Sequence, residues 1–477
     1  MTLPADQPDV VIVGGGLAGL AAAAALGAAG FRVDLHERRP FLGGRASSAE
    51  FAVRNAQCGV GPSDSALRAP HSALDTPHFA LDNCQHVLLG CCTNLLDLYE
   101  RLGVRHLISF HDAVPFVTPD GRISIMQERG GPAPLHLLAS LARFHPLSWR
   151  DRLAVMAGLA AVGFEPAMLG RLRLDSETML AWLQRHLQTP RAIDYFWRPV
   201  LTSALNEDPE RVSAWHGLQL FWLGFLANRA GHRVGLPAVP LGELYGAQIP
   251  GVRVHFRSAV RELRHEAGRV AGARLDDGRM APARWFIVAL PFEETARLLP
   301  GDYSAFSHSP IIGIHLWFDR PLFEAPFAAL LGRTVQWAFR KLGDPGYVQC
   351  VVSAARELLP MPPDQIVETA VRELREFFPN TWAQLLRSSV IKEVRATYSA
   401  AAGMEARRPS PATPFANCFQ AGDWTATGWP PTMEGAVRSG YAAAERVTQA
   451  AGHPQRFLLP ELPAEGLSRW FPAARVY

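Results

Sequence analysis

The segment Val10-Val11-Ile12-Val13-Gly14-Gly15-Gly16-Leu17-Ala18-Gly19 constrains this chain more than any other. A short apolar run, a glycine cluster and an alanine-rich stretch to Ala29 predict a buried strand, a tight turn and a helix. In such a unit Gly14 makes the turn, Gly16 lets a ligand approach the backbone, and Gly19 lets helix and strand pack closely. The free N–H groups at the helix start, around Leu17 and Ala18, suit a dinucleotide pyrophosphate. A second strand, Arg32 to His36, ends in Glu37, whose carboxylate can accept hydrogen bonds from a ribose hydroxyl pair. A glycine turn that holds nothing needs none of these flanking elements, and all are present.

The next residues distinguish between dinucleotides. They read Arg38-Arg39-Pro40-Phe41-Leu42-Gly43-Gly44-Arg45. NAD needs no second glycine pair here. FAD lies extended across a sheet, so its second phosphate and ribityl chain need another close backbone approach. Gly43 and Gly44 allow that approach, and Arg45 adds positive charge. The segment resembles the glycine-glycine-arginine extension of the amine oxidase and carotenoid desaturase flavoprotein superfamily. The fold this implies is α/β: a Rossmann-like FAD/NAD(P)-binding domain with an inserted α+β substrate domain.

A third element lies near the other end. Phe419-Gln420-Ala421-Gly422-Asp423-Trp424 reads as a strand ending in a glycine and an acid. Thr427-Gly428-Trp429-Pro430-Pro431-Thr432-Met433-Glu434-Gly435-Ala436 follows and opens a helix. The resemblance implies that Asp423, next to Gly422, holds the ribityl–phosphate region. It also implies that the helix start at Thr432 and Met433 faces the flavin pyrimidine, where its positive end stabilises a reduced flavin. A simple helix N-cap is the plainer reading of Asp423.

The 477 residues leave room for two or three domains, and 48% apolar with 19% charged residues describes an ordered globular chain. A net charge of +3 does not suggest nucleic acid as a partner. The cysteines Cys58, Cys84, Cys91, Cys92, Cys350 and Cys418 form no C-x-x-C pair, so neither a metal site nor a redox dithiol is expected. A reducing cytoplasm fits them. The fingerprint strand begins at Val10, so no secretory leader is expected. No stretch is expected to span a membrane, since the longest uncharged apolar run, Leu153 to Phe164, is too short. Apolar helical segments nevertheless recur at Leu135 to Phe144, Leu153 to Leu169 and Leu218 to Leu226. Leu467-Ser468-Arg469-Trp470-Phe471-Pro472 mixes aromatics with arginine. These segments read either as core and tunnel lining or as a peripheral contact with the inner face of the cytoplasmic membrane.

Residues 8–80 hold the first FAD segment. Residues 81–234 read as mostly helical, with a hairpin at Pro119-Asp120-Gly121. Residues 235–300 form a second FAD segment of strand, hairpin and buried strand, in which the resemblance gives Val260 a backbone contact with adenine. Residues 301–410 are a substrate domain with strands Ile311 to Phe318, Tyr347 to Ser353 and Val390 to Tyr398 and a helix from Pro363. Residues 411–451 return to the FAD domain, and 452–477 form a tail.

The segment Leu81-Asp82-Asn83-Cys84-Gln85-His86-Val87-Leu88-Leu89-Gly90-Cys91-Cys92-Thr93-Asn94 is rich in polar groups between apolar flanks. With Gly428-Trp429-Pro430 and Trp317-Phe318-Asp319-Arg320-Pro321 it is similar to the bacterial hydroxysqualene dehydroxylases, also called squalene-associated FAD-dependent desaturases. That likeness implies loss of a hydroxyl from hydroxysqualene and gain of a hydride from reduced FAD, giving squalene for hopanoid synthesis. An allylic hydroxyl leaves well only when protonated, so a general acid is required. Asp82 and His86 are the candidates for acid and hydrogen-bond donor. Asn83 and Gln85 would orient the alcohol or the flavin edge. Each has a structural alternative, a turn cap or a satisfied core histidine. Cys84 reads as a small core residue, and Glu434 as an acid or a helix-dipole partner.

Many amine oxidases carry a lysine on a substrate-domain strand; here Gly313 stands about where it would fall, which lowers amine oxidation. Two other readings stay open, a carotenoid or polyisoprenoid desaturase and an isoprenoid-binding escort protein without flavin. No second dinucleotide fingerprint identifies the electron donor.

Overall fold

A computed structural model describes residues 7–52, 54–55, 78–246, 248–341 and 343–477. Cys58 and the stretch 56–77 of the first expected segment lie outside the described residues. Five apolar strands build a wholly parallel sheet in the order Val252–His255, Val33–His36, Val10–Val13, Trp285–Val288, Cys418–Gln420. Val10 to Val13 is buried on both faces, as a continuous apolar run in a parallel sheet requires. Val10 and Ile12 pack on helix Leu17–Ala28. Val11 and Val13 face an antiparallel meander of Val260–Glu266, Arg269–Leu275 and Met280–Ala281.

Small residues set how close the helices come. A Cβ on Gly19 would sit 1.9 Å from the Gly14 carbonyl oxygen, and one on Gly440 would sit 2.1 Å from that of Ala18. The C-terminal helix Met433–Ala450 therefore lies directly against the first helix, and the two ends of the chain share one layer.

The second sheet has eight strands, ordered Arg54–Asn55, Leu385–Tyr398, His308–Phe318, Tyr347–Ser353, Trp337–Arg340, Phe327–Leu330, Val114–Val117, Ile123–Met126. Its outer face, including Ile312, Ile314 and Leu316, is covered by helix Pro363–Phe377 through Ile366, Ala370 and Leu374. The expected hairpin around Pro119 forms, but it joins this sheet through parallel pairing of Ala329 with Phe116. It is thus an edge of the substrate sheet, because Val117 completes the same apolar core.

Two further expectations change. The run from Leu135 is not one helix but a 3-10 turn, Leu135–Leu137, and a single short helix, Leu138–Ala142. The stretch judged too short for a membrane belongs to the 21-residue helix Trp149–Leu169, started by a capping box of Ser148 and Asp151. Among the described residues it is the one helix long and apolar enough, by length and composition, to cross a bilayer. Its charged residues lie near its ends, which is why the uncharged run underestimated it.

A buried ion cluster fastens the helical region to the cofactor sheet. Glu405 accepts from Arg408 (2.6 Å), faces His216 (3.2 Å) and pairs with Arg171. Arg408 also donates to the Asp423 carbonyl (3.0 Å) and Thr427 Oγ1 (2.9 Å). Burial alone would raise the Glu405 carboxyl, but the His216 hydrogen bond and the Arg408 charge bring it down to about 2. A carboxylate depressed in the folded state stabilises above its ordinary range, and that contribution fades as pH falls towards the depressed value. Glu405→Gln should therefore cost about 3–5 kcal/mol at neutral pH, since Arg408 stays buried without its counter-charge. Urea unfolding across pH should show the gap to wild type closing between about pH 5 and pH 2.

Candidate active site

A single cavity runs from the C-terminal ends of the parallel strands to the inner face of the eight-stranded sheet. At the parallel-sheet end two glycine turns meet. The Gly43 N–H donates to the Gly15 carbonyl (2.9 Å), and Gly44, at φ +62°, would bring a Cβ to 2.9 Å from the Gly16 Cα. A Cβ on Gly16 would meet only the Gly44 Cα, at 3.9 Å, so this side of its backbone is open to a ligand. Gly14, Gly16, Leu17, Ala18, Gly43, Gly44 and Arg45 all line the cavity; Gly19 does not and serves packing alone.

Glu37 accepts from the Gly15 N–H (2.7 Å) and the Arg39 N–H (2.8 Å) and also borders the cavity. It fixes the first turn while keeping lone pairs for a ribose. Arg38 is exposed and pairs with Glu294 (3.5 Å), and Val260 lines the same end. Asp34, His36 and His255 bring ligand atoms within 4.8 Å of one another nearby. There Arg253 holds Asp34 (2.8 Å) and Ser258 holds His36 (2.9 Å), so the cluster reads as structural.

Asp423 is buried and receives Arg45 (2.5 Å), which also donates to the Ala396 carbonyl (3.1 Å). Gly422 presents its N–H to Ser439 Oγ (2.9 Å). Asp423 does not cap the helix; Thr432 does, accepting from the Gly435 N–H (3.1 Å). Thr432 and Met433 put that helix start on the cavity wall. A cradle of bare glycine backbone, a ribose acceptor, an Arg45–Asp423 clamp and a helix N-terminus along one wall is the donor set an extended FAD needs.

The segment after the next strand contributes unevenly. Asn83, Cys84, Gln85 and His86 line the cavity, and Asp82 does not. The expectation for Asp82 needs correcting. Its Oδ1 accepts from Ser48 Oγ (2.7 Å) and the Leu241 N–H (3.0 Å), and its Oδ2 from Lys341 (3.1 Å). Lys341 also donates to Gln85 Oε1 (2.9 Å). Asp82 is a buried anchor for the loop rather than an acid, because strand alternation turns it away from the cavity.

His86 also differs from expectation. Burial pushes its imidazole below the usual range, so it is neutral, and its Nδ1 lies 3.0 Å from the Cys84 carbonyl. The proton sits on Nδ1, which leaves Nε2 an acceptor and not a donor. Asn83 donates to the Arg45 carbonyl (2.6 Å), and its Oδ1 is buried without a partner among the described residues. Burial and then the charge of Glu393 push the Cys84 thiol up to about 12, so it is no nucleophile. A Cβ at Gly313 would lie 2.9 Å from the Asn83 carbonyl oxygen, so a lysine has no room there.

Glu434 is fully buried. Burial raises its carboxyl to about 7, and it accepts from the Leu95 N–H (2.7 Å), the Asn94 N–H (3.2 Å) and the Asn94 side chain (2.9 Å). It caps the helix Thr93–Arg101, the helix-partner role.

Sequence reasoning missed Glu393. It lines the cavity from strand Leu385–Tyr398 and has no hydrogen bond or ion pair among the described residues. The signal was present: Glu393 sits two residues from Ile391, on the inward face of that strand. Val200, Leu220, Leu223, Phe225, Trp337 and Phe339 give the cavity a broad apolar surface, interrupted by Ser203, Asn206 and Gln219.

Comparison with known proteins agrees with this geometry. The family model described as flavin containing amine oxidoreductase matches residues 17–448. The chain is 25% identical to 15-cis-phytoene desaturase of Solanum lycopersicum, over 94% of this chain and 78% of the relative. It is 25% identical to a probable zeta-carotene desaturase of Synechococcus elongatus, over 92% and 98%. It is 33% identical to hydroxysqualene dehydroxylase of Sinorhizobium fredii, over 52% of this chain and 60% of the relative. An oxidoreductase from Methanosarcina mazei shares the fold at TM-score 0.66 and 18% identity, covering 90% of this chain and 98% of the other. A putrescine oxidase variant does so at 0.64 and 16%, covering 94% and 99%. The cofactor is FAD.

Asp423→Ala should strip the Arg45 clamp and weaken FAD retention by about tenfold or more, the worth of a charge-assisted hydrogen bond. Asp82→Asn should keep its FAD. Flavin absorbance per protein after extensive dialysis checks both.

Proposed function

Because the chain belongs to the family of flavin containing amine oxidoreductases, we propose that it turns its FAD on a polyisoprenoid and removes the hydroxyl of hydroxysqualene to give squalene. The observation that carries this reading is the shape of the cavity. Asn83, His86 and Glu393 stand on its wall, and Val200, Leu220, Leu223, Phe225, Trp337 and Phe339 give it a broad apolar surface, with Ser203, Asn206 and Gln219 as scattered polar groups. A mainly apolar wall with a few polar groups suits a long hydrocarbon that carries one functional group. The identity to hydroxysqualene dehydroxylase, higher over its half of the chain than the whole-chain identity to the desaturases, supports it.

Reduced FAD, when bound, supplies a hydride to an electron-poor carbon. The chain's own residues do the rest. Arg45, Asp423 and the helix start at Met433 hold the cofactor edge. His86 Nε2, an acceptor, fixes a substrate O–H. Asn83 Oδ1 awaits a donor from the flavin or the alcohol. The apolar wall keeps water from a carbon that would otherwise be hydrated again.

Desaturation of a polyene is the second reading, favoured by the identity to phytoene and zeta-carotene desaturases along nearly the whole chain. A flavin-free escort role has no observation in its favour.

The substrate would come from a bilayer, and one surface fits that source. Trp149 (64% exposed), Leu153, Phe164, Met168 (74%) and Leu172 line the outer side of the long helix and its successor. Phe471 packs against Phe164 with tilted rings, and Leu467 donates its N–H to the Ala133 carbonyl. This carries the apolar face on through Leu467 and Trp470 (85%) to Leu135 and Leu138. Leu137, between them, lines the cavity. Arg143, Arg150 and Arg469 flank this face and suit anionic headgroups. The helix rests on the membrane rather than crossing it, because its other side is locked: a Cβ on Gly163 would lie 2.1 Å from the Phe471 ring. The protein then sits on the cytoplasmic face of the membrane, where its unidentified electron donor must reach it.

An anaerobic single-turnover assay tests the activity. Dithionite-reduced protein mixed with hydroxysqualene should reoxidise its flavin and yield squalene; flavin that stays reduced with alcohol recovered would shift the weight to the desaturase reading. Leu153→Glu with Phe164→Glu should cut sedimentation with phosphatidylglycerol vesicles by about tenfold or more and leave soluble turnover intact.

A further inference from the structure

We infer that Glu393 is the catalytic acid that protonates the departing hydroxyl; this rests on the dehydroxylation reading above. Five other carboxylates lie in or beside the cavity, and each is already committed. Glu37 serves Gly15 and Arg39, Asp82 serves Ser48, Leu241 and Lys341, and Glu294 pairs with Arg38 and Arg297. Asp423 holds Arg45, and Glu434 holds Asn94 and Leu95. Glu393 alone lines the cavity with no partner among the described residues.

Its position follows from the strand register. Glu393 pairs across the sheet with Ile311, and Ile391 with Gly313, the residue whose Cβ would strike the Asn83 carbonyl. Glu393 is therefore a diagonal neighbour of the point where the sheet meets the Asn83–His86 loop. The register then slips: Ser309 pairs with Thr397, so the strand bulges between Glu393 and Thr397. Within the bulge the Ala396 carbonyl is free to receive Arg45, which clamps Asp423. One irregularity thus fixes the cofactor arginine and follows directly on a carboxyl that has no partner among the described residues, as bulges near reaction sites do. The proximity to the loop is felt by Cys84, whose thiol is raised by burial and then by the Glu393 charge.

The chemistry balances as follows. The Glu393 carboxyl gives its proton to the allylic hydroxyl, the C–O bond breaks with its electron pair going to oxygen, and water leaves. Two-electron-reduced FAD, where bound, would supply the hydride that this carbon needs. The Glu393 carboxylate faces the positive charge while it lasts and regains a proton from solvent.

The test uses FAD-loaded Glu393→Gln and Glu393→Asp. Wild type should give squalene in a single turnover, Glu393→Gln should be slower by about 100-fold or more, and Glu393→Asp should recover part of the rate. A second reading needs no turnover. An analogue with an ammonium group in place of the hydroxyl, titrated by tryptophan fluorescence, should bind about tenfold more weakly to Glu393→Gln than to wild type. FAD content and melting temperature should be unchanged in both variants. Wild-type turnover with Glu393→Gln equally fast, or equal ammonium binding by the two, overturns the role of Glu393 and leaves dehydroxylation standing. A wild type that makes no squalene overturns both.

Discussion

The contact on which the rest of the molecule hangs is the bare approach of the first helix to its surroundings at Gly19 and Gly440. With 1.9 Å and 2.1 Å to carbonyl oxygens, neither position tolerates even a methyl group. Because the helix can sink that far onto the first strand, its N-terminal N–H groups open onto the cavity. Because the C-terminal helix can come equally close, its own N-terminus reaches the same cavity from the other side. Two positive helix ends and two glycine turns then converge, and the cofactor is held mainly by backbone. Side chains enter only to fix those parts in place, as Glu37 does for the first turn and Asp423 does for Arg45.

This division of labour explains the electrostatics of the interior. Almost every buried charge is neutralised locally: Glu405 with Arg408, Asp82 with Lys341, Asp423 with Arg45. Glu434, whose ionised form is disfavoured by burial, is tied down by backbone N–H groups. Against that background the one uncommitted carboxyl on the cavity wall among the described residues, Glu393, stands out as a cost the fold had no structural reason to keep.

Much of this was legible beforehand, for physical reasons that differ by element. The glycine fingerprint, Gly43-Gly44-Arg45 and Gly422-Asp423 are local: the conformation each needs is written in adjacent residues. The strands at Ile311 and Tyr347 were legible through continuous or alternating apolar runs. What failed was relational. Whether Asp82 or Asn83 faces the cavity depends on a one-residue register, which no local pattern specifies. The hairpin at Val114–Met126 could not announce that its partner strand lies some two hundred residues on. For Glu393 the alternation with Ile391 marked its face, but a sequence does not show which groups will go unpaired. The helix from Leu153 to Leu169 was legible, but its full apolar length was not, because charges near its two ends cut the uncharged run.

The helices that wall the apolar part of the cavity contain two π-helical turns, Ile193–Trp197 and Trp222–Leu226. Leu223 and Phe225 lie in the second, and Val200 and Ser203 follow the first; all four line the cavity. A π turn is in effect one residue inserted into an α-helix. Deleting one residue from either would restore the α pitch and rotate everything beyond it by about 100°. The side chains presented to the lumen would then be replaced wholesale without a single substitution. The bore of this wall is therefore a counting property, and related chains can change what they accommodate by gaining or losing one residue at these two places.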